Sequence, residues 1–566
     1  MSGLLKRLEV GNAPKGHVWY NKDLLPTPVE SRTWNVYHFL FFYFTTSLTP
    51  SSYNLGSTLV SMGLLYWHGI ICAVVGSFFL SIILVFNSRA PAVYHLGFPT
   101  IVRSVAGMYG SYFFIFVRIS VATIYFAVQT YFSANLMSVL LRCVFGHKWA
   151  NLENTLSANS GVNSKVLLSF FIVWLIQGPL MFLHPKHQRH IFTIKMFTTT
   201  AALFGVFGYC VRKAGGTLGT PESLAEGRVY GTDLAWGIVS GINSIMGALC
   251  PILINTGDVV RYAKKPSDAA WIQSFAVLCS KVLITFLGCG TTSAAKVFLG
   301  KAFWNPWDLY DALLDYNWSP SMRVGIFFAC LGMIIALVAV NLGTNCLPVG
   351  ADLTGMAPRY ITIVRGQFLC WLICPLLFPW KIVSSGSAFL AFLGSYSVML
   401  CPICAVMIYD YFIIKKGNLH IPSFYNPDKS SMLWYESRVG VNWRAMAAWL
   451  GGLGLTISGV SNSVKPGSIG DAAIKIYKLG FLLSFTSAFL FYGIICYFFP
   501  VKQPLPNNMD IKEVKFEQFS ENDGYLDGET IFDIEGLNES LGEGDVESTS
   551  SSSEKRGQIL VHEREV

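Results

Sequence analysis

Tyr125 and Gln129 stand four residues apart in the apolar stretch "RISVATIYFAVQTYF", and Asn341 and Asn345 repeat that spacing in "VNLGTNC". Positions i and i+4 of a helix share a face, so each pair presents its polar groups together. Tyr125 offers a ring to stack on, and Gln129 offers an amide that both donates and accepts. A planar heterocycle with adjacent carbonyl and N–H groups fits such a set, because the amide meets that edge with two hydrogen bonds while the ring covers the face. The same amides equally suit holding helices together in a membrane, and spacing alone does not separate the two roles.

Few other residues in the apolar stretches can do chemistry. An ionisable side chain there is costly and needs a reason. Arg118, Lys195 and Lys281 are the bases. Asp258, Asp352 and Asp410 fall near expected helix ends, where water or a loop reaches them, and Asp410 in "IYDYFIIKK" reads as an interface residue. Lys195, in "HIFTIKMFTTT", lies in the first two turns of its helix, within snorkelling reach of water, and is the base to watch. Cys401 and Cys404 form C-x-x-C with no His or second pair nearby, and most of the 13 cysteines lie in apolar runs, so neither a metal site nor a disulfide framework is expected. No H-E-x-x-H, no G-x-S-x-G and no clustered His and acid pair occurs in these stretches, so the chain does not read as an enzyme. The histidines of "HPKHQRH" (184–190) sit beside Lys186 and Arg189 on a short loop and read as a basic loop with pH sensitivity, not a metal site.

The elements that must position these residues follow from composition. A chain of 566 residues with 52% hydrophobic, 14% aromatic and 13% charged residues, and a mean hydropathy of +0.47, is far more apolar than a soluble protein of that length requires. The fold class expected is an all-α polytopic membrane protein. Twelve apolar stretches can each cross a hydrocarbon core of about 30 Å as a helix of about 20 residues: 36–63, 64–86, 110–141, 165–184, 190–211, 236–256, 272–299, 321–349, 365–384, 387–414, 443–460 and 477–499.

Charge sets the expected orientation. The segment 1–35 carries Lys6, Arg7, Lys15, Lys22 and Arg32, which predicts a cytoplasmic amino terminus without a cleavable signal peptide. An even helix count places the carboxyl terminus inside as well. "RYAKKP" and "IIKKGN" then fall on inner loops and "WDLYDALLDY" outside. Of 33 acidic and 41 basic residues, the stretch 501–566 holds 16 and 6, leaving 17 and 35 for the remainder. That acidic tail, with "GDVESTSSSSEKRG", lacks an apolar period and reads as disordered, a place for phosphorylation or for trafficking and ubiquitination partners. The basic residues are spread along inner loops, so no nucleic-acid partner is expected.

Breaks in apolar runs mark candidate sites, since irregular backbone inside a membrane survives only where protein or a water-lined cavity satisfies it. "SLTPSSYNLGS" interrupts the first span, and "GINSIMGALCPILINTGD" interrupts the sixth, with Gly247 and Pro251 at its centre. The two lie five helices apart, as expected of an inverted-repeat secondary transporter with a midplane site.

The segments "NKDLLPTPVESRTW", "YFAVQT", "NTGDVVRYAK", "NPWDLYDALLD", "GADLTGMAPRYITIVRG", "MIYDYFIIKKG" and "GVNWRA" together resemble the fungal branch of the nucleobase-cation-symport-1 family, which includes uracil, uridine and allantoin permeases. The resemblance runs from about Asn21 to Pro500. It implies a LeuT-like five-plus-five inverted repeat, with repeat one at about 36–211, repeat two at about 236–414 and two additional C-terminal helices at about 443–499, all within a transporter domain of 36–500. It further implies alternating access and a plasma-membrane address. By position the family's stacking aromatic falls on Tyr125, where Trp is usual, its amide on Gln129 and its eighth-helix asparagine on Asn345. Asn341 joins that set. The first-helix glutamine of the bacterial hydantoin relative falls on Thr49, and the sixth-helix aromatic on Leu249, beside Ala248, so altered specificity is expected.

Sodium-driven relatives use eighth-helix hydroxyls where this chain has Ala339 and Val340, so sodium is disfavoured and the coupling ion implied is a proton, with Lys195 standing in for the metal. No cofactor is expected. The thiamine and nicotinamide riboside permeases of the same branch are the alternative, less favoured because their pattern lacks the asparagine found at Asn345. A non-transporting nutrient sensor with this fold is the alternative of another class; the altered Tyr125 and Leu249 positions admit it, and Gln129, Asn345 and the expected breaks oppose it.

Overall fold

The computed structural model describes residues 9–10, 19–183, 189–220, 224–225, 227–426, 429, 432–435, 439–464, 470–501 and 513–526, and the basic loop at 184–188 lies outside them. Among these residues the protein is helical, with one isolated parallel bridge between Trp34 and Ala263. The principal helices are α1 (Val36–Ser47), α2 (Pro50–Ser61), α3 (Tyr66–Tyr94), α4 (Gly110–Phe145), α5 (Ser164–Leu180), α6 (Arg189–Lys213), α7 (Gly231–Val260), α8 (Trp271–Leu299), α9 (Pro320–Val340), α10 (Leu347–Met356), α11 (Ile363–Ile373), α12 (Gly386–Tyr409), α13 (Trp443–Gly454) and α14 (Gly480–Phe498). Among the described residues eight stretches are long and apolar enough to cross a membrane, while Ser164–Leu180 and Ile363–Leu377 are shorter apolar helices.

Local chemistry explains where these helices begin. Thr49, Asn163, Ser319 and Ser385 each accept a backbone N–H of the first turn that follows, and Pro50 and Pro320 occupy a first-turn position where no N–H is needed. The expected 365–384 span is not one helix. It passes from α11 into a 3₁₀ turn at Cys374–Leu377, then reverses at Phe378, whose φ of 47° lies in the left-handed region just ahead of Pro379. The expected 443–460 span likewise divides into α13 and a second helix, Ile457–Val464.

The two expected breaks have different outcomes. The first is real: α1 ends at Ser47, Leu48 and Thr49 leave helical geometry, and α2 restarts at Pro50. The second is not, because α7 runs unbroken through Gly247 and Pro251. Gly247 serves close approach instead, since a Cβ there would lie 2.8 Å from the Leu393 carbonyl oxygen of α12. Pro251 removes one N–H from the ladder without ending it. Irregularity appears elsewhere, as a π-helical turn over Asn341–Cys346 between α9 and α10.

α3 packs on α7 and α8, α9 lies between α4 and α6, and α12 rests on α13 and α14. At the end of the bundle that carries the 19–35 segment, residues 513–526 of the acidic stretch expected to be disordered pack against the helices. Glu517 takes two hydrogen bonds from Arg89 of α3 (2.8 and 2.6 Å) and one from the Tyr411 hydroxyl (2.9 Å), and Phe519 is buried. Arg32 pairs with Asp523 at 3.0 Å, tying the amino-terminal segment to the same strap. Asp410 corrects the interface reading: it is 2% exposed, pairs with Lys415 at 2.6 Å and accepts the Tyr492 hydroxyl at 2.9 Å, because α14 and the 410–415 turn close over it.

Candidate functional site

The break between α1 and α2 faces the middle of α4. Ser51, in the first turn of α2, donates its hydroxyl to Gln129 Oε1 at 2.7 Å, and both side chains are buried. That contact orients the Gln129 amide and leaves its NH₂ end as a donor. Tyr125, one turn earlier on α4, is stacked on Phe392 of α12 (centroids 5.8 Å apart, planes at 17°) and meets Tyr396 edge-on at 5.7 Å. A leucine at position 249 therefore does not leave Tyr125 alone: α12 supplies the second and third rings.

The eighth-span asparagines have separate duties. Asn341 Nδ2 reaches the Phe126 carbonyl (3.2 Å), Thr130 Oγ1 (3.1 Å) and Gln177 Oε1 (3.0 Å), knitting α4, α5 and the π turn together. This is the helix-holding role that spacing had left open. Asn345, one turn on, donates one N–H to Asn341 Oδ1 at 2.8 Å, which leaves its own carbonyl and its second N–H free of that bond. The π turn over both residues shifts their register from that of a regular helix, a feature common at functional sites. Gln177, in "WLIQGPL", was overlooked although a lone amide in an apolar run is visible in the sequence.

Thr49 caps α2: its hydroxyl accepts the Ser52 N–H at 3.2 Å and lies 3.2 Å from Ser52 Oγ. Ala248 is half-buried and Leu249 buried on α7, and neither side chain can hydrogen-bond. Lys195 does not snorkel to water. Wholly buried on α6, it donates to the Thr45 carbonyl at 2.6 Å, in the last turn of α1, where carbonyls run out of intrahelical partners. The Phe192 ring lies 5.6 Å from the same ammonium.

Between the site and the end that carries the 19–35 segment sits a buried charge cluster. Arg118 of α4 grips Asp352 of α10 with two bonds of 2.6 Å, pairs with Asp258 of α7 at 2.8 Å and lies 4.1 Å over the Phe98 ring. Asn255 Nδ2 continues the link to the Thr344 carbonyl of the π turn at 2.9 Å. Asp352 is fully buried and Asp258 is 8% exposed, so neither carboxylate is the water-reached group that position near a helix end predicted. Both lie inside because α4 brings them a guanidinium. All cysteines among the described residues are free, Cys401 and Cys404 included, and no group of metal-ligating residues gathers there.

Comparison with known proteins agrees with this architecture. Residues 26–484 match the family of permeases for cytosine/purines, uracil, thiamine and allantoin. The allantoin permease of Saccharomyces cerevisiae is 29% identical over 489 residues, covering 85% of this chain and 76% of the relative. The uridine permease of the same yeast is 30% identical over 499 residues, covering 88% and 77%. Among solved structures, the nucleobase-cation-symport-1 transporter Mhp1, closed with bromovinylhydantoin bound, superposes with a TM-score of 0.67 at 18% identity, covering 89% of this chain and 99% of Mhp1.

Proposed function

The chain belongs to the permease family for cytosine/purines, uracil, thiamine and allantoin, a multi-pass membrane transporter among relatives that are permeases and not enzymes, and from that premise we propose that it imports a nucleobase-like heterocycle of the uracil, allantoin or uridine type. The observation that carries the reading is Ser51 holding the Gln129 amide carbonyl at the α1–α2 break, one helical turn from the Tyr125 ring. Tyr125 covers the ring face, Gln129 donates to a ring carbonyl, and the Asn345 carbonyl accepts a ring N–H. Asn341 holds that asparagine in place, and Thr49, Ala248 and Leu249 line the remaining sides.

Transport proceeds by alternating access in a twelve-span bundle with a five-plus-five repeat, and both termini face the cytoplasm at the plasma membrane. A proton is the coupling ion. Lys195 supports this because its ammonium occupies the carbonyl end of α1, where a metal ion would otherwise need oxygen ligands, and Ala339 and Val340 provide no side-chain oxygen.

The test is uptake of radiolabelled uracil, uridine, allantoin, thiamine and nicotinamide riboside by a host lacking its own permeases, at acidic and neutral external pH, beside Gln129→Ala. Acid-stimulated uptake of one of the first three, lost in the variant, is the expected result. Uptake of thiamine or nicotinamide riboside alone would overturn the substrate class. No uptake of any compound by surface-exposed protein would favour a sensor.

A further inference from the structure

Lys281 has no part in the reading above. It lies in the middle of α8, 1% exposed, and among the described residues no carboxylate comes within ion-pair distance of it. Its ammonium donates instead to Ser52 Oγ at 2.9 Å. An ionisable group at membrane depth demands a reason, and here the demand is sharper because Ser52 stands in the first turn of α2, the positive end of a helix dipole. A cation is unfavourable at that end, so helix stability does not account for it.

The surroundings say what the lysine holds. Lys281, Thr285, Gly288 and Cys289 follow the i, i+4, i+7, i+8 stripe of one helix face. Each of the last three meets α2 directly: a Cβ on Gly56 would lie 2.5 Å from the Thr285 carbonyl oxygen, a Cβ on Gly288 would overlap the Tyr53 carbonyl oxygen, and Cys289 Sγ donates to the Gly56 carbonyl at 3.3 Å. α8 and α2 are thus in backbone contact along this face, and Lys281 is the end of the seam nearest the break. Ser52 also takes the Thr49 hydroxyl, and its neighbour Ser51 is the donor to Gln129. One chain of contacts runs from Lys281 through the first turn of α2 to the amide at the candidate site.

We propose that Lys281 is a positioning residue for substrate recognition, fixing the first turn of α2 through Ser52 so that Ser51 presents the Gln129 amide in a single orientation. The requirement is for a donor on a long side chain, which glutamine also supplies and methionine does not.

The proposal rests on the transport reading, so two readouts are needed. In uptake, Lys281→Met and Ser52→Ala each raise KM about tenfold with Vmax near that of the parent, the size expected for one lost buried hydrogen bond to a cation. The double variant is no worse than either alone, and Lys281→Gln keeps KM within about twofold. In purified full-length protein, the backbone amides of Thr49 and of residues 51–53 exchange hydrogen faster in Lys281→Met and at the parental rate in Lys281→Gln. That measurement needs no substrate, so it decides the proposal even if the parent carries none of the compounds tested and the transport reading falls. Unchanged exchange in both Lys281→Met and Ser52→Ala would overturn it. So would a glutamine variant that behaves like methionine and loses its pH profile, because charge and not position would then be what Lys281 supplies.

Discussion

Two regions of this membrane bundle bury positive charge in opposite ways. Toward the end that carries the 19–35 segment, Arg118 is enclosed by Asp352 and Asp258, a closed set in which each charge answers another. At the α1–α2 break, Lys195 and Lys281 are as deeply buried but touch only uncharged oxygens, the Thr45 carbonyl and the Ser52 hydroxyl. A paired cluster penalises any change of charge state, since losing one partner strands the others in a dry interior. An amine held by a carbonyl or hydroxyl can change its charge without leaving a carboxylate bare. The first arrangement fastens three helices; the second leaves two cations without a carboxylate beside the α1–α2 break.

The sharpest break of that comparison is Arg118→Met. It strands two buried carboxylates and is expected to cost about 3–5 kcal/mol, read as loss of monodisperse protein after extraction or as a large fall in Tm. A variant that folds as well as the parent would mean the cluster is wet and adjustable. Lys195→Met comes next and should do the reverse, leaving Tm equal or higher while abolishing acid-stimulated accumulation. Retained acid stimulation would end the proton role of Lys195. Glu517→Gln, in the tail strap, is milder: the Arg89 and Tyr411 contacts lose their shared charge, and stability should fall by about 1–3 kcal/mol, measured by thermal unfolding at low and high salt.

The smallest effect concerns His95, just past the end of α3. Burial, reinforced by the nearby Arg32 guanidinium, lowers its pKa to about 4. The folded form then binds fewer protons than the unfolded chain between about pH 6.5 and 4, so this residue's contribution to stability is present above that window and declines as pH falls through it. His95→Gln should flatten the acid limb of the Tm–pH curve, and an unaltered limb would show that another group controls it.

Much of the candidate site was legible because membrane helices tolerate few polar residues. Gln129, Asn341, Asn345 and Lys195 stood out for that reason alone, and "SLTPSSYNLGS" announced the break at Pro50. Ser51 did not, since one hydroxyl among several near a proline carries no sign of which will face α4. Phe392 and Tyr396 were equally hidden, because aromatic residues are ordinary in such stretches and their partner, Tyr125, is far away in sequence. The sixth-span expectation failed at Gly247 for a related reason: glycine permits both a break and a close approach, and only the presence of the Leu393 carbonyl decides between them.

The sequence by itself determined that this chain lives in a membrane, which helices carry polar groups, and which family it belongs to, because hydropathy, helical periodicity and motif order are local properties. Tertiary structure alone decided which of those polar groups fasten helices together and which keep a hydrogen-bonding atom unused. Asn341 and Asn345 are chemically identical and four residues apart, yet one is used up between α4 and α5 while the other keeps its carbonyl. Asp258 and Asp352 read as water-reached until α4 delivered Arg118 between them. Partners for a side chain come from helices distant in sequence, and in a low-dielectric interior the partner fixes what a charge or an amide can do.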